Sequence, residues 1–172
     1  DKYLEQYRQY DVEVYEGRKK LDEEALEKEK KEQEELIKSK FDVMNKIIDK
    51  YSSLRDAINS TAEGQTGDAQ VLTYAEGIKS ANKEIKYIEN EIANLGKKKI
   101  TATFTQDDYD SQLSTLQSAL SEAYSSIDDF NKSISESIQN SSEDVMDAIE
   151  SQYEGMSKYW EGQKDDYADI ID

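Results

Sequence analysis

The stretch VLTYAEGIKSANKEIKYIENEIANL, residues 71–95, decides the fold. Val71, Tyr74, Ile78, Ala81, Ile85, Ile88, Ile92 and Leu95 follow one another at spacings 3-4-3-4-3-4-3. An α-helix turns once per 3.6 residues, so these side chains share one face and form a coiled-coil seam. One seam cannot leave water by itself, so the chain must supply others. Upstream, Ile37, Phe41, Met44, Ile48, Tyr51 and Ile58 form a stripe with Arg55 at the skipped position, widened by Ile47 and Leu54. Downstream, Tyr109, Leu113, Leu116, Leu120, Ala123, Ile127, Phe130 and Ile134 form a third.

The connections between the seams have their own chemistry. Residues 59–70, NSTAEGQTGDAQ, carry Gly64 and Gly67 among polar residues and read as a surface turn. Gly64 to Gly67 lacks the Lys-Ser/Thr of a phosphate loop. Gly96 stands where a left-handed cap would close the second helix, and Lys97, Lys98 and Lys99 suit its negative end. Ile100 to Thr105 alternates apolar residues with threonines, the period of a strand. With no second strand visible, the expectation is an extended crossover, the alternative being pairing with the same segment of another chain. Thr105-Gln-Asp-Asp108 has the form of a capping box. Asp107, Asp108 and Asp110 lack the Gly and distal Glu of a calcium loop, so capping is their expected role. The Ser-rich run 135–142 marks a hinge, where Ser141 and Asp144 could cap a restarted helix, after which Val145, Ile149, Tyr153, Met156, Tyr159 or Trp160, Tyr167 and Ile170 resume an amphipathic pattern.

These segments predict an all-α fold, an elongated antiparallel helical hairpin or three-helix bundle with coiled-coil seams and one short extended segment at about 100–105. The expected divisions are a long charged helix at 1–58 with its packed face at 37–58, a turn at 59–70 and a coiled-coil helix at 71–95. An extended crossover at 96–105, a coiled-coil helix at 106–138 and an acidic amphipathic tail at 139–172 complete them. Unless the hinge at 135–142 folds the tail back, up, down, up packing would send the outer parts of helices one and three from opposite ends, giving a rod well over ~100 Å long at ~1.5 Å per residue.

Composition agrees with long helices. The 172 residues include no Pro, no Cys and no His, against 12 Tyr, and the mean hydropathy is −0.95. An interior Pro would cost a helix about 3 kcal/mol. Without His or Cys, the usual zinc sites, Cys or Ser–His nucleophile systems and disulfide frameworks are excluded. No apolar run approaches the roughly 18 residues of a membrane span. The net charge is −17, which disfavours nucleic acid and anionic lipid. It is uneven: net −3 over residues 1–58, 0 over 59–105 and −14 over 106–172. No catalytic residues, metal, cofactor or small-molecule substrate are expected, and the chain is not read as an enzyme. It opens at Asp1 without a signal-peptide pattern, reading as a piece of a longer protein or a matured product.

Two stripes have no partner seam inside the chain. Tyr3, Tyr7, Tyr10 and Val14 share a face near the start, and Tyr153, Met156, Tyr159 and Trp160 lie near the end. These eight are the expected partner-binding residues, and the partners are helices of another protein or a second copy.

The Tyr/Glu/Lys-rich helix Tyr3 to Glu35, the ladder Ile78 to Leu95 and the Ser/Asp-rich ladder Leu113 to Ile138 resemble the helical middle of phage tail tape measure proteins. That resemblance is compositional and periodic. It implies a structural or assembly role in a virion tail, where long helices associate and chain length sets distance. Trp160-Glu161-Gly162 resembles the Trp-x-Gly turn of WXG-type secreted hairpins, although Ile171 stands where their export signal needs an acid. It implies an alternative, a secreted helical effector or adaptor of a type VII-like system. A coiled-coil adhesin or binding module at the cell surface is another.

If the seams are buried, Ile85→Asp or Leu116→Asp will lower stability by about 3 kcal/mol or more, since each buries an unpaired charge. Glu32→Ala, in the apolar-free run 27–35, will change it by less than about 0.5 kcal/mol. Urea titrations giving equal losses at all three sites would refute the assignment.

Overall fold

A computed structural model describes residues 2–171, with the side chains at 156, 157, 160 and 162–171 outside the description. The chain is all-α. Its helices are α1 (Lys2–Glu63), α2 (Gly67–Gly96) and α3 (Gln106–Ile171), and no strand occurs among the described residues. The chain divides into two compact units: Asp1–Asp49 with Ile88–Ala119, and Lys50–Tyr87 with Leu120–Asp172. Each contains segments of all three helices.

In the first unit, Met44 of α1, Ile88 and Leu95 of α2, and Leu116 and Ala119 of α3 are buried. All but Ala119 were expected on seams, and Ile37, Phe41, Ile48, Ile92 and Leu113 are half-buried at their edges. The connection from α2 to α3 differs from the expected extended crossover. Gly96 is the last residue of α2 and lacks a positive φ, so no left-handed cap forms there. Instead Lys97 N–H bonds Asn94 O and Lys98 N–H bonds Leu95 O, tightening the helix end. The segment then bends back on itself, with Thr101 N–H donating to Phe104 O at 2.8 Å. Phe104 is buried, and Lys98 Nζ lies 5.1 Å from its ring centroid. The alternation at 100–105 is thus a loop that inserts one aromatic anchor, not a strand. Thr103 Oγ1 also donates to Gln33 Oε1 of α1 at 3.3 Å.

The capping box at α3 forms as read. Asp108 Oδ2 accepts from Thr105 N–H and Oγ1, both at 2.8 Å, and Asp108 N–H returns a bond to Thr105 Oγ1 at 3.2 Å. These bonds, the backbone one foremost, hold the Asp108 carboxyl below the usual aspartate range.

In the second unit, Ala62, Tyr74 and Phe130 form a buried cluster edged by Ile58, Ile78 and Ile134. Ala81, Ile85 and Ala123 are buried as well. The turn is far shorter than the expected 59–70. α1 continues through residues 59–63, where Thr61 Oγ1 bonds the Ala57 carbonyl within the helix and Ala62 is fully buried. Only residues 64–66 connect α1 to α2, and Gly67 supplies the left-handed φ of +60° that starts the return. So short a link makes α1 and α2 antiparallel neighbours. A polar bridge ties the same end together: Ser137 Oγ donates to Gln70 Oε1 at 2.6 Å, and Gln70 Nε2 donates to Ala62 O at 3.0 Å.

The hinge expected at 135–142 is absent. α3 crosses that run unbroken. Ser135 and Ser142 return their hydroxyls to the carbonyls of Asn131 and Ile138 within the helix, and Ser141 and Asp144, which could have capped a restarted helix, lie inside α3.

Close approach defines one further position. A Cβ on Gly77 would lie 2.7–2.9 Å from Phe130 ring atoms, whereas one on Gly17 would meet nothing within 4 Å. Gly77→Ala will therefore lower stability by about 1–2 kcal/mol, overpacking outweighing its helix-propensity gain. Gly17→Ala will raise helicity by up to about 1 kcal/mol of local stability. Thermal melts followed by circular dichroism separate the two; equal effects would mean that the Phe130 ring moves freely aside.

Candidate functional site

Two features stand out among the described residues: a buried ion pair in the second unit, and apolar faces left in water.

The pair occupies the two places where polar residues interrupt the stripes. Arg55 fills the skipped position of the α1 stripe, and Glu84 sits three residues after Ala81 and four before Ile88. Both are withdrawn from water, Arg55 at 8% and Glu84 at 0% exposure. Arg55 Nη1 donates to Glu84 Oε2, and Arg55 Nη2 lies 3.8 Å from Glu122 Oε2 on α3. Glu122 is 70% exposed, so it closes the group on the solvent side and contributes little energy. Glu84 Oε1 is buried without a hydrogen-bond partner. Burial pushes the Glu84 carboxyl above the usual range, opposed by the adjacent guanidinium and reinforced by the Glu122 charge. One side chain from each helix thus meets at one level. The Tyr51 and Tyr87 rings also meet in a tilted pair, with centroids 6.5 Å apart and planes at 37°.

The gap at Arg55 was visible in sequence, but Glu84 was passed over because Ile85 satisfied the spacing. Two polar residues on the stripes of neighbouring helices are the signal that could have found it. Such a pair is weak evidence for stability, since desolvation opposes the attraction. Its chemistry is positional: each charge is costly unless the other faces it.

The eight expected partner-binding residues fall into three groups. Tyr3, Tyr7, Tyr10 and Val14 lie on α1 in the first unit and are exposed, Tyr3 at 80%. Tyr153 and Tyr159 lie on α3 in the second unit and are also exposed. The side chains of Met156 and Trp160 lie outside the described residues. Leu4, Tyr15, Leu21 and Leu26 on α1, and Ile138, Val145, Met146 and Ile149 on α3, are exposed as well. Of these, Val145 and Ile149 stand on the amphipathic pattern read from the sequence but were not among the expected partner-binding residues. In the second unit Ile138, Val145 and Met146 meet Gly67 and Val71 of α2 around a groove of about 430 Å³. Among the described residues no helix is long and apolar enough to cross a membrane, and no group of three or more acidic ligands could hold a metal ion.

Because the folded state holds the Glu84 proton more tightly than the unfolded chain, this group's stability contribution is full below the ordinary glutamate range. It is lost as pH rises through the raised value. Asp108 behaves oppositely, contributing above the ordinary aspartate range and losing that contribution as pH falls through its lowered value. Glu84→Gln will remove the first dependence and Asp108→Asn the second, as read by thermal midpoints across pH. Arg55→Met alone will cost about 3–5 kcal/mol, whereas Arg55→Met with Glu84→Leu will be neutral or stabilising. A double variant as unstable as the single would show that the charges themselves are required.

No protein-family model, curated protein or solved structure matches the chain.

Proposed function

We propose that this chain is a structural or assembly protein that works through helix–helix association, in the manner of phage tail tape measure proteins, and that it carries out no catalysis. The observation supporting this reading is the apolar face that α1 and α3 keep in water. Tyr3, Tyr7 and Tyr10 on one helix and Val145, Ile149 and Tyr153 on the other are exposed at helical spacing. Large side chains repeated at such intervals are what a helical partner buries. The tyrosines suit the purpose because each covers much area while its hydroxyl tolerates water. The buried carboxylate does not argue for an enzyme, since Glu84 lies among core residues and faces Arg55.

Sedimentation equilibrium over a wide concentration series tests the proposal. The weight-average mass will rise above the monomer, and Tyr7→Asp with Tyr10→Asp or Val145→Asp with Ile149→Asp will lower it. A concentration-independent monomer whose helix ends melt as isolated helices would overturn the reading.

A further inference from the structure

We infer that two acids compete for the Arg55 guanidinium, and that uptake of a proton by Glu84 hands it from α2 to α3. The group is a proton-controlled tie among the three helices of the second unit.

The geometry at this level supplies the parts. Arg55 is buried, so its charge needs an acid beside it. Glu84 on α2 is one such acid, accepting from Nη1 through Oε2. Its other oxygen, Oε1, is buried without a partner, so hydrogen bonds answer only half of the carboxylate. Glu122 on α3 is the other acid. Its Oε2 stands 3.8 Å from Arg55 Nη2, about 1 Å beyond a charge-assisted hydrogen bond. Glu122 is mostly in water, which leaves its side chain room to close that gap.

Two acids for one base leave the group with one negative charge in excess. A proton removes that excess at Glu84, where burial penalises the charge, whereas the charge on Glu122 stays solvated. Oε1 is the oxygen to receive the proton, because Oε2 is held by the Arg55 N–H. Arg55 and Glu122 are the charged groups that face Glu84 from α1 and α3. Tyr51 and Tyr87, also titratable, meet each other one turn away.

Protonation of Glu84 changes what Glu122 contributes. While Glu84 is charged, Glu122 is attracted by Arg55 and repelled by Glu84, and the two effects offset. Once Glu84 is neutral the repulsion ends, and of the two acids Glu122 alone still carries a charge to set against the guanidinium. The tie to α2 weakens as the tie to α3 strengthens. Since burial raises the Glu84 carboxyl, this happens as pH falls through a value above the ordinary glutamate range.

Two measurements on the full chain test the hand-over. Carboxyl-carbon NMR across pH will place the Glu84 midpoint above the ordinary glutamate range, and the Glu122 carboxyl carbon will show an inflection at that same midpoint. Glu122→Gln will move the Glu84 midpoint down, because the charge that favoured its proton is gone. The second measurement is a double-mutant cycle by urea titration at neutral pH, with Glu84→Gln standing in for the protonated acid. In the unaltered chain Glu122→Gln will change the folding equilibrium constant less than about threefold. In Glu84→Gln the same change will lower it at least roughly tenfold, since it leaves a buried guanidinium unanswered. A Glu84 midpoint at or below the ordinary range would overturn proton uptake. An equal cost of Glu122→Gln in both backgrounds would overturn the transfer to α3. If Glu84→Gln does not fold, the NMR titration decides, because a Glu122 resonance indifferent to the Glu84 midpoint refutes the transfer as well.

Discussion

The packed part of the molecule depends on one constraint: the apolar stripe of α2 can leave water only between α1 and α3. Tyr74, Ala81, Ile85, Ile88 and Leu95 are all buried on that stripe. Small residues set how near the neighbours come. Ala62, Ala81, Ala119 and Ala123 are each at most 5% exposed, and Gly77 takes the Phe130 ring almost against its backbone. With small side chains at the seams, much of the stabilisation comes from close contact rather than from sheer apolar area. Into this setting the chain places Arg55 and Glu84. A displacement of one turn between α1 and α2 would separate them and leave two charges without compensation. The pair thus makes the wrong alignments worse more than it makes the right one better.

Much of this was legible before any coordinates. Periodicity named nearly every buried apolar position, because a stripe that must face another helix has little choice of spacing. Ala62, Gly77, Glu84, Gln112, Ala119 and Ser137 escaped it, since a count of large apolar residues overlooks small and polar side chains. The turn was misjudged for a related reason. Asn59 to Glu63 has the composition of a loop, yet burial of Ala62 and the Thr61 hydroxyl bond keep it helical. Ile100 to Thr105 alternates like a strand, but a single strand has nowhere to bond, and burial of Phe104 determined its course. The partner-binding residues were legible as stripes and no further. What covers Tyr3 or Tyr153 is not encoded within one chain's contacts.

The distribution of charge also gains a physical meaning. Most of the net charge follows residue 105, on the helix whose acids gather away from its apolar stripe. Among the described residues, the buried acid Glu84 lies in the balanced middle part, and the buried base that answers it, Arg55, lies in the part before it. Acids in the last third therefore hydrate a surface, whereas the one in the middle organises a core.

The long exposed stretch of α1 before residue 37 has a thermodynamic consequence. Its helix is held by local terms, such as the Lys28–Glu32 and Lys30–Glu34 pairs, each worth only tenths of a kcal/mol. An unsupported helix of that kind frays cheaply, so its amides exchange with solvent far sooner than those around Ile88. Anything that covers the tyrosine face must first pay to order it, and then holds it in proportion to occupancy. Amide protection at the front of α1 therefore serves as a gauge of how much of that face is covered.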